Sequence, residues 1–176
     1  MFTTPRFRGR LGLAVVFTSL GLVATTAPAA QALPDWRTSA TSFTNDHARQ
    51  PKVIDLRYAK HARFDRVVID VDGRRPGFTI KYTRKLTYDG SGAAVGLKGR
   101  KKMTISLNPA YAHNDSGDNV YEGPRLKQVK LPTLRGIAFT GDFEGYVSFG
   151  FSTDRKASYR VFTLTNPSRI VIDWKH

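Results

Sequence analysis

The residues of this sequence that could act in acid–base or nucleophilic catalysis are few and poorly arranged. Ser148 lies in the glycine-flanked stretch 145–150, but it stands one residue too far from the first glycine for a nucleophile turn, and no helical pattern follows it. Asp142 and Glu144 flank Phe143 and share one side at the start of a predicted strand, whereas glycosidase carboxylates usually face each other across a cleft. The sequence therefore predicts a protein that is not an enzyme.

Metal ligation has no better support. The histidines His47, His61, His113 and His176 are scattered, without HExxH or comparable spacing. The absence of cysteine excludes disulfides, thiolate zinc sites and a thiol nucleophile. Residues 113–119 have the composition of a calcium loop but lack the EF-hand order of oxygens and its closing glutamate, so a polar turn is favoured and an ion site is the alternative. We predict no metal and no cofactor.

Basic charge is the feature that points to a partner. The chain has 28 Lys and Arg residues against 14 Asp and Glu residues, a net charge of +14. The densest run is 98–102, for which a solvated loop is the simpler interpretation. The alternation of inward-facing and outward-facing residues places Tyr146 away from the core, although a bulge at Gly145 would reverse which residues face outward. The candidate polymer-binding residues are Lys81, Lys98, Arg100, Lys101, Lys102 and Tyr146.

The first 32 residues predict export. Three arginines precede the mostly apolar stretch 11–23, and Ala30-Gln31-Ala32 is the small-x-small triplet that signal peptidase cuts after. Cleavage there leaves 25 basic and 14 acidic residues, a net charge of +11, and no membrane span in the mature chain. An exported protein meets little nucleic acid, so we expect no nucleic-acid partner. No basic amphipathic helix that could bind a membrane surface is visible. We therefore expect an anionic envelope polymer as partner. The alternative is that the charge serves only solubility.

The positioning elements are predicted to be β-strands. Residues 33–51 lack a period and predict a linker or loosely docked arm, and residues 108–124 form a long polar loop. The pattern in 52–176 predicts an all-β domain, a sandwich of two packed and mostly antiparallel sheets, with an open barrel as the alternative. The predicted strands cover 53–58, 64–72, 78–83, a short piece around Val95 and Leu97, 102–107, 134–140, 143–151, 159–165 and 168–176.

Two of these strands share a sequence motif. Residues 65–73 read DRVVIDVDG, and residues 168–176 read SRIVIDWKH. Their period of two predicts that Ile69 and Ile172, with the aliphatic and aromatic residues two positions away, face the core. The last strand should therefore lie between earlier ones. The Arg and Asp of each copy are too far apart for contact along one strand, so pairing between the copies is expected to set the register.

A set of short motifs resembles a known family. The region from about Lys52 to the end is similar to the AMIN-like domain of secreted and lipid-anchored actinobacterial proteins, which is related to the AMIN module found beside cell-wall amidases. The resemblance implies a non-catalytic β-sandwich that binds peptidoglycan. With no amidase domain beside it and no anchoring cysteine, a freely secreted or wall-retained module is expected. The motifs are FDRVV (64–68), DGSG (89–92), AYAH (110–113), GDFEG (141–145), VFTL (161–164) and RIVID (169–173).

Taken together, the sequence predicts a secreted, non-catalytic module that recognises peptidoglycan or an associated anionic wall polymer. The candidate surface is a solvent-exposed, basic strand face together with its flanking loops. Two alternatives are a protein–protein interaction module for another secreted protein and an enzyme with a dispersed site. A deep cleft with converging carboxylates or histidines would favour the enzyme, and a flat basic face would not.

Overall fold

The strands of the domain were located in a computed structural model, which describes residue 1 and residues 32–176. Residues 2–31, which contain nearly all of the predicted signal peptide, lie outside the described residues, so cleavage stays a prediction. The chain divides into Met1–Ala32 and Leu33–His176, and the second unit holds every strand described. The strands are β1 (Thr41–Phe43), β2 (Lys52–Lys60), β3 (Phe64–Asp72), β4 (Gly77–Thr83), β5 (Lys101–Asn108), β6 (Leu126–Gln128), β7 (Leu134–Phe143), β8 (Tyr146–Thr153), β9 (Tyr159–Leu164) and β10 (Ser168–Lys175).

These strands form two separate antiparallel sheets, which confirms the predicted all-β sandwich over the open barrel. One sheet has six strands in the order β1-β4-β5-β8-β7-β6, and the other has four in the order β2-β3-β10-β9. The described part of the chain contains no helix. Each sheet buries one face against the other, as the period of two requires. The largest fully buried side chains are Trp174, Tyr159, Phe149, Phe151, Leu56, Ile69, Ile80, Met103, Ile105, Leu107, Leu134 and Ile137.

The two strands that share the motif, β3 and β10, form the centre of the four-stranded sheet. β10 lies between β3 and β9, so the last strand is inserted among earlier ones, as predicted. β3 and β10 are direct antiparallel neighbours in which Ile69 lies opposite Ile170, and both are fully buried. The same register places Asp173 opposite Arg66, the pairing between copies that the sequence predicts.

A buried carboxylate joins the two sheets. Asp65 shares the inward face of β3 and is fully buried. It accepts hydrogen bonds from the backbone N–H groups of Thr133 at 2.7 Å and Leu134 at 2.9 Å, and its other oxygen lies 2.9 Å from Nε2 of His176. Because every partner is supplied, the burial of this acid is tolerated. The contact fixes the start of β7 against β3.

Residues 33–51 are docked on the domain in the structure. They contribute β1, which pairs with β4 at the edge of the six-stranded sheet, and a bridge in which Arg37 exchanges two backbone hydrogen bonds with Tyr159 of β9. Phe43 packs beside Phe78, with ring centres 5.9 Å apart. The arm therefore protects an edge of each sheet, which limits open strand pairing.

One predicted strand is absent and another is divided by a turn. Val95 and Leu97 are buried but belong to no strand, because their segment crosses the outside of the sheet and packs on it without extending it. The predicted strand 143–151 is interrupted by a turn at Glu144 and Gly145, where φ is 49° and 77°. Those angles are typical of a two-residue hairpin turn, which ends β7 and starts β8. β1 and β6 were not predicted, since three residues are too few to show a period.

Candidate polymer-binding surface

The outer face of the six-stranded sheet is half covered. The segment between β4 and β5 folds over β7 and β8, where Leu86, Val95 and Leu97 form a small apolar cluster with Ala138. Gly150 permits this contact, because a Cβ atom at that position would lie 2.9 Å from Cδ1 of Leu86. The covered half cannot bind a polymer, so any open polar surface on this face lies on the other half.

The open half is a polar groove over β1, β4 and β5, with a volume of about 340 Å³. Its floor is a ladder of short polar side chains set by the strand register, in which Thr79 lies opposite Ser106 and Lys81 lies opposite Thr104. The Oγ atom of Ser42 lies 3.1 Å from Oγ1 of Thr79. The hydroxyl and amide groups of the groove belong to Ser42, Thr44, Thr79, Thr104, Ser106 and Asn108.

Two of the sequence-predicted residues line this groove. Lys81 on β4 and Tyr146 at the start of β8 both line it. Phe143 lies opposite Tyr146 in the β7–β8 register, so the two rings flank the same hairpin turn, with exposed fractions of 63% and 49%. The alternation argument places Tyr146 correctly but assigns Phe143 to the core, because it treats a hairpin as one strand. The groove therefore carries one cation, one carboxylate from Asp46, and the exposed ring of Tyr146, with Phe143 beside it on the hairpin.

The basic run lies elsewhere. Ser152 donates a hydrogen bond of 2.6 Å to the carbonyl of Lys98, and six positions along β8 separate Ser152 from Tyr146, about 20 Å in an extended strand. Lys98, Arg100 and Lys101 are exposed. The structure thus separates Tyr146 from the basic run, and Lys81, two register positions from the Thr83–Lys102 pair, lies between them.

Lys102 differs from the rest of the run. Its side chain is half-buried and its Nζ donates to the carbonyl of Leu97, which holds the covering segment in place. Burial lowers the pKa of the Lys102 amine. We therefore assign Lys102 a structural role and keep the other five residues as candidate contacts.

A His–Asp pair anchors the long loop and was missed from sequence. Nδ1 of His113 lies 2.6 Å from Oδ2 of Asp142 at the end of β7. The ring of Tyr111 meets the His113 ring edge-on at 5.5 Å, and both border a cleft of about 310 Å³. No spacing signal could reveal a pair separated by 29 residues.

The rest of this loop is a polar turn. Oδ1 of Asn114 accepts backbone hydrogen bonds from Ser116 at 3.0 Å and Asp118 at 2.8 Å. Among the described residues, no group of three or more His, Cys, Asp or Glu side chains could hold a metal ion. The side chains of the loop thus serve to fold it.

A second cluster of charge lies on the outside of the four-stranded sheet. The guanidinium carbon of Arg66 lies 4.9 Å from the ring centre of Phe64, and that of Arg160 lies 4.5 Å from the ring centre of Trp36. Both arginines bind Asp173. Arginines stacked on aromatic rings are held rigidly, and here the arm supplies one of the rings.

The fold defines a class of protein, the all-β sandwich domains built from two antiparallel sheets. The chain belongs to the AMIN-like domain family, whose model matches residues 51–176. Domains of this family are non-catalytic binding modules associated with secreted and cell-envelope proteins. Comparison with curated proteins and with solved structures finds no match. Within residues 32–176, no helix is long and apolar enough to cross a membrane.

Proposed function

We propose that this protein is an exported, non-catalytic module that binds peptidoglycan or an anionic polymer attached to it. The observation that carries the proposal is the open groove in which Lys81 and Tyr146 flank a floor of hydroxyl and amide groups. It lies within a domain of a cell-wall-targeting family.

The chemistry of the groove suits a sugar polymer with negative substituents. Hydroxyl and amide side chains both donate and accept, so they match the hydroxyl and acetamido groups of wall sugars. An exposed ring can cover the apolar face of a sugar while its polar tip stays in water. Lys81 supplies the charge that a carboxylate or phosphate would meet. Each kind of contact adds specificity that net charge alone lacks.

Net charge supplies the long-range part of the attraction. The mature chain at +11 would approach an envelope rich in carboxylates and phosphates, and salt would weaken that attraction as the Debye length falls from about 10 Å at 0.1 M to about 3 Å at 1 M. Contacts made by stacking and hydrogen bonds resist this screening. A specific module is therefore expected to retain part of its affinity at high salt.

The test is co-sedimentation of the purified protein with isolated cell walls across a salt series, with heparin as competitor. We expect Lys81→Ser and Tyr146→Ala to reduce the binding that survives 1 M salt. The variant with Lys98, Arg100 and Lys101 changed to Ser should lose mainly low-salt binding. Controls are Lys127→Ser and Tyr58→Ala, which change exposed residues outside the groove.

The outcomes separate recognition from simple charge attraction. Retention at high salt with incomplete displacement by heparin supports the proposal. If all binding disappears at moderate salt and heparin displaces it fully, only a basic surface remains. If the protein does not co-sediment with cell walls at any salt concentration, another secreted protein becomes the favoured partner. Phe143, with 63% of its surface exposed, is then the expected contact residue.

A further inference from the structure

A cleft separate from the groove contains only hydrogen-bond donors and neutral groups. It has a volume of about 400 Å³ and lies where the β3–β4 turn, the β9–β10 turn and the docked arm meet. No carboxylate lines it. Its lining residues are Asn45, His47, Arg74, Arg75, Thr165 and Ser168.

Arg75 is held in place before any ligand arrives. Its guanidinium carbon lies 4.3 Å from the ring centre of Phe43, and its Nη1 donates to Oγ1 of Thr163. Its carbonyl accepts a 2.7 Å hydrogen bond from Nδ2 of Asn45. A stacked and tethered guanidinium loses little further entropy when it binds an anion.

The charge of this arginine pair is not neutralised within the part of the chain that the structure describes. Arg57, Arg66 and Arg160 each bind an aspartate, whereas neither Arg74 nor Arg75 forms a salt bridge among these residues. Two uncompensated guanidinium groups on one turn attract a counter-ion.

The acids next to the cleft in sequence face other clefts. Asp46 lines the polar groove, and Asp72 lines a neighbouring cleft that shares only Ser168 with this one. The turn itself is fixed, because Oγ of Ser168 donates a 2.7 Å hydrogen bond to the carbonyl of Gly73. The positive potential of the cleft is therefore not cancelled from its own walls.

We propose that this cleft binds the phosphate group of a phosphate-bearing ligand. Paired guanidinium groups match the oxygens of a phosphate in bidentate hydrogen bonds, and Asn45, His47 and Thr165 add donors around it. The volume exceeds that of the phosphate itself, so a diester within a polymer or a lipid headgroup fits as well as the free ion. The site is distinct from the groove and does not depend on its function.

The experiment is calorimetric titration of the purified protein at low ionic strength with three probes. These are inorganic phosphate, a poly(glycerol phosphate) chain and phosphatidylglycerol vesicles, with chloride and phosphatidylcholine vesicles as the blanks. Tighter binding of the polymer than of the ion identifies a phosphodiester polymer as the source. Binding to the charged vesicles but not to the polymer identifies a lipid headgroup, and binding of the ion alone identifies free phosphate.

Variants decide whether the cleft is responsible. Arg74→Gln, at an exposed position, should weaken phosphate binding about tenfold or more, since a charge-assisted hydrogen-bond pair is lost. Arg75→Lys retains the positive charge but lacks the planar guanidinium that forms two parallel hydrogen bonds, so it should also weaken phosphate binding. Arg84→Gln makes the same charge change at an exposed arginine outside the cleft and should bind like the parent.

Circular dichroism and the melting temperature would establish that each variant is folded, and Arg74→Gln alone decides the question if the Arg75 variant unfolds. The proposal is overturned if none of the three probes binds, or if Arg74→Gln and Arg84→Gln bind phosphate equally well. Because wall sedimentation by the groove variants is a separate measurement, failure here leaves the proposed function standing, and the reverse also holds.

Discussion

Arg66 and Asp173 lie directly opposite each other on β3 and β10 and form a bidentate ion pair. Nε of Arg66 is 2.6 Å from Oδ1 of Asp173, and its Nη2 is 2.9 Å from Oδ2. Arg160 on β9 adds a contact of 2.8 Å from its own Nε to Oδ2. The carboxylate is fully buried, so three neighbouring strands are joined by one charge that is shielded from water.

The first prediction concerns this carboxylate. Asp173→Asn keeps the shape of the side chain but leaves two guanidinium groups without their counter-charge. Removing one partner of a buried pair typically costs about 3 to 5 kcal/mol, and we expect a loss of that size in the free energy of unfolding. Equilibrium unfolding in urea measures it.

The matched control is Asp70→Asn, at the equivalent position in the first copy of the motif. Asp70 binds Arg57 at 2.7 and 2.8 Å, but the Arg57 side chain is 58% exposed. Solvent screens this pair, so we expect a loss of about 1 kcal/mol or less. Equal losses in the two variants would contradict the assignment of Asp173 as the buried centre of the network.

The second prediction is that deletion of residues 170–176 abolishes folding. The deletion removes most of a central strand, including the fully buried Ile170, Ile172 and Trp174. Each such loss costs roughly 2 to 5 kcal/mol, while a domain has only about 5 to 15 kcal/mol of stability. Lys175→Ala, at an exposed position of the same strand, should melt like the parent. A soluble truncation with a cooperative thermal transition would refute the prediction.

The third prediction is a loss of stability in alkali. Burial raises the pKa of Tyr82 to about 12, above the value near 10 of a tyrosine in an unfolded chain. Above pH 10 the unfolded chain releases the proton while the folded protein retains it, so the stability from this group is present below pH 10 and declines between about pH 10 and 12. Burial also raises the pKa of Tyr121 and Tyr159, which adds to the decline.

Tyr82→Phe tests this assignment because it removes the ionisable group. At neutral pH the variant should lose about 1 kcal/mol, since the hydroxyl of Tyr82 donates a 2.6 Å hydrogen bond to the carbonyl of Ala157. Between pH 10 and 12 its free energy of unfolding should fall less steeply than that of the parent. Parallel curves for the two proteins would show that Tyr82 is not responsible.

The fourth prediction is a gain in stability. Glu144 has φ of 49° in the β7–β8 turn, a left-handed conformation that Asn adopts more readily. Glu144→Asn creates the preferred Asn-Gly turn and should raise the free energy of unfolding by about 0.5 to 1 kcal/mol. Glu122→Asn, at another exposed glutamate whose φ is not positive, should leave it nearly unchanged. A gain in the control and none at Glu144 would contradict the explanation.

Much of the fold could be predicted from the sequence because burial in a strand leaves a local trace. Val67, Ile69 and Val71 repeat at every second position, as do Ile170, Ile172 and Trp174, and all six face the core. An alternating segment has only one face to bury, so strand type and the inward set follow from residue order alone. The sandwich followed from that pattern, and the repeat of the motif indicated that its two copies pair, whereas the pairing of Arg66 with Asp173 came from the structure.

What only the tertiary structure decided are the contacts between segments that no local pattern links. Phe143 turned outward because a two-residue turn reset the alternation, and Val95 was buried by packing over a sheet, not within it. Tyr146 and the basic run came to lie at opposite ends of β8, and Arg74 and Arg75 met the arm in a donor-lined cleft. Spatial proximity of this kind depends on strand order and register, which arise from the packing of the whole chain and leave no periodic signal in the residues themselves.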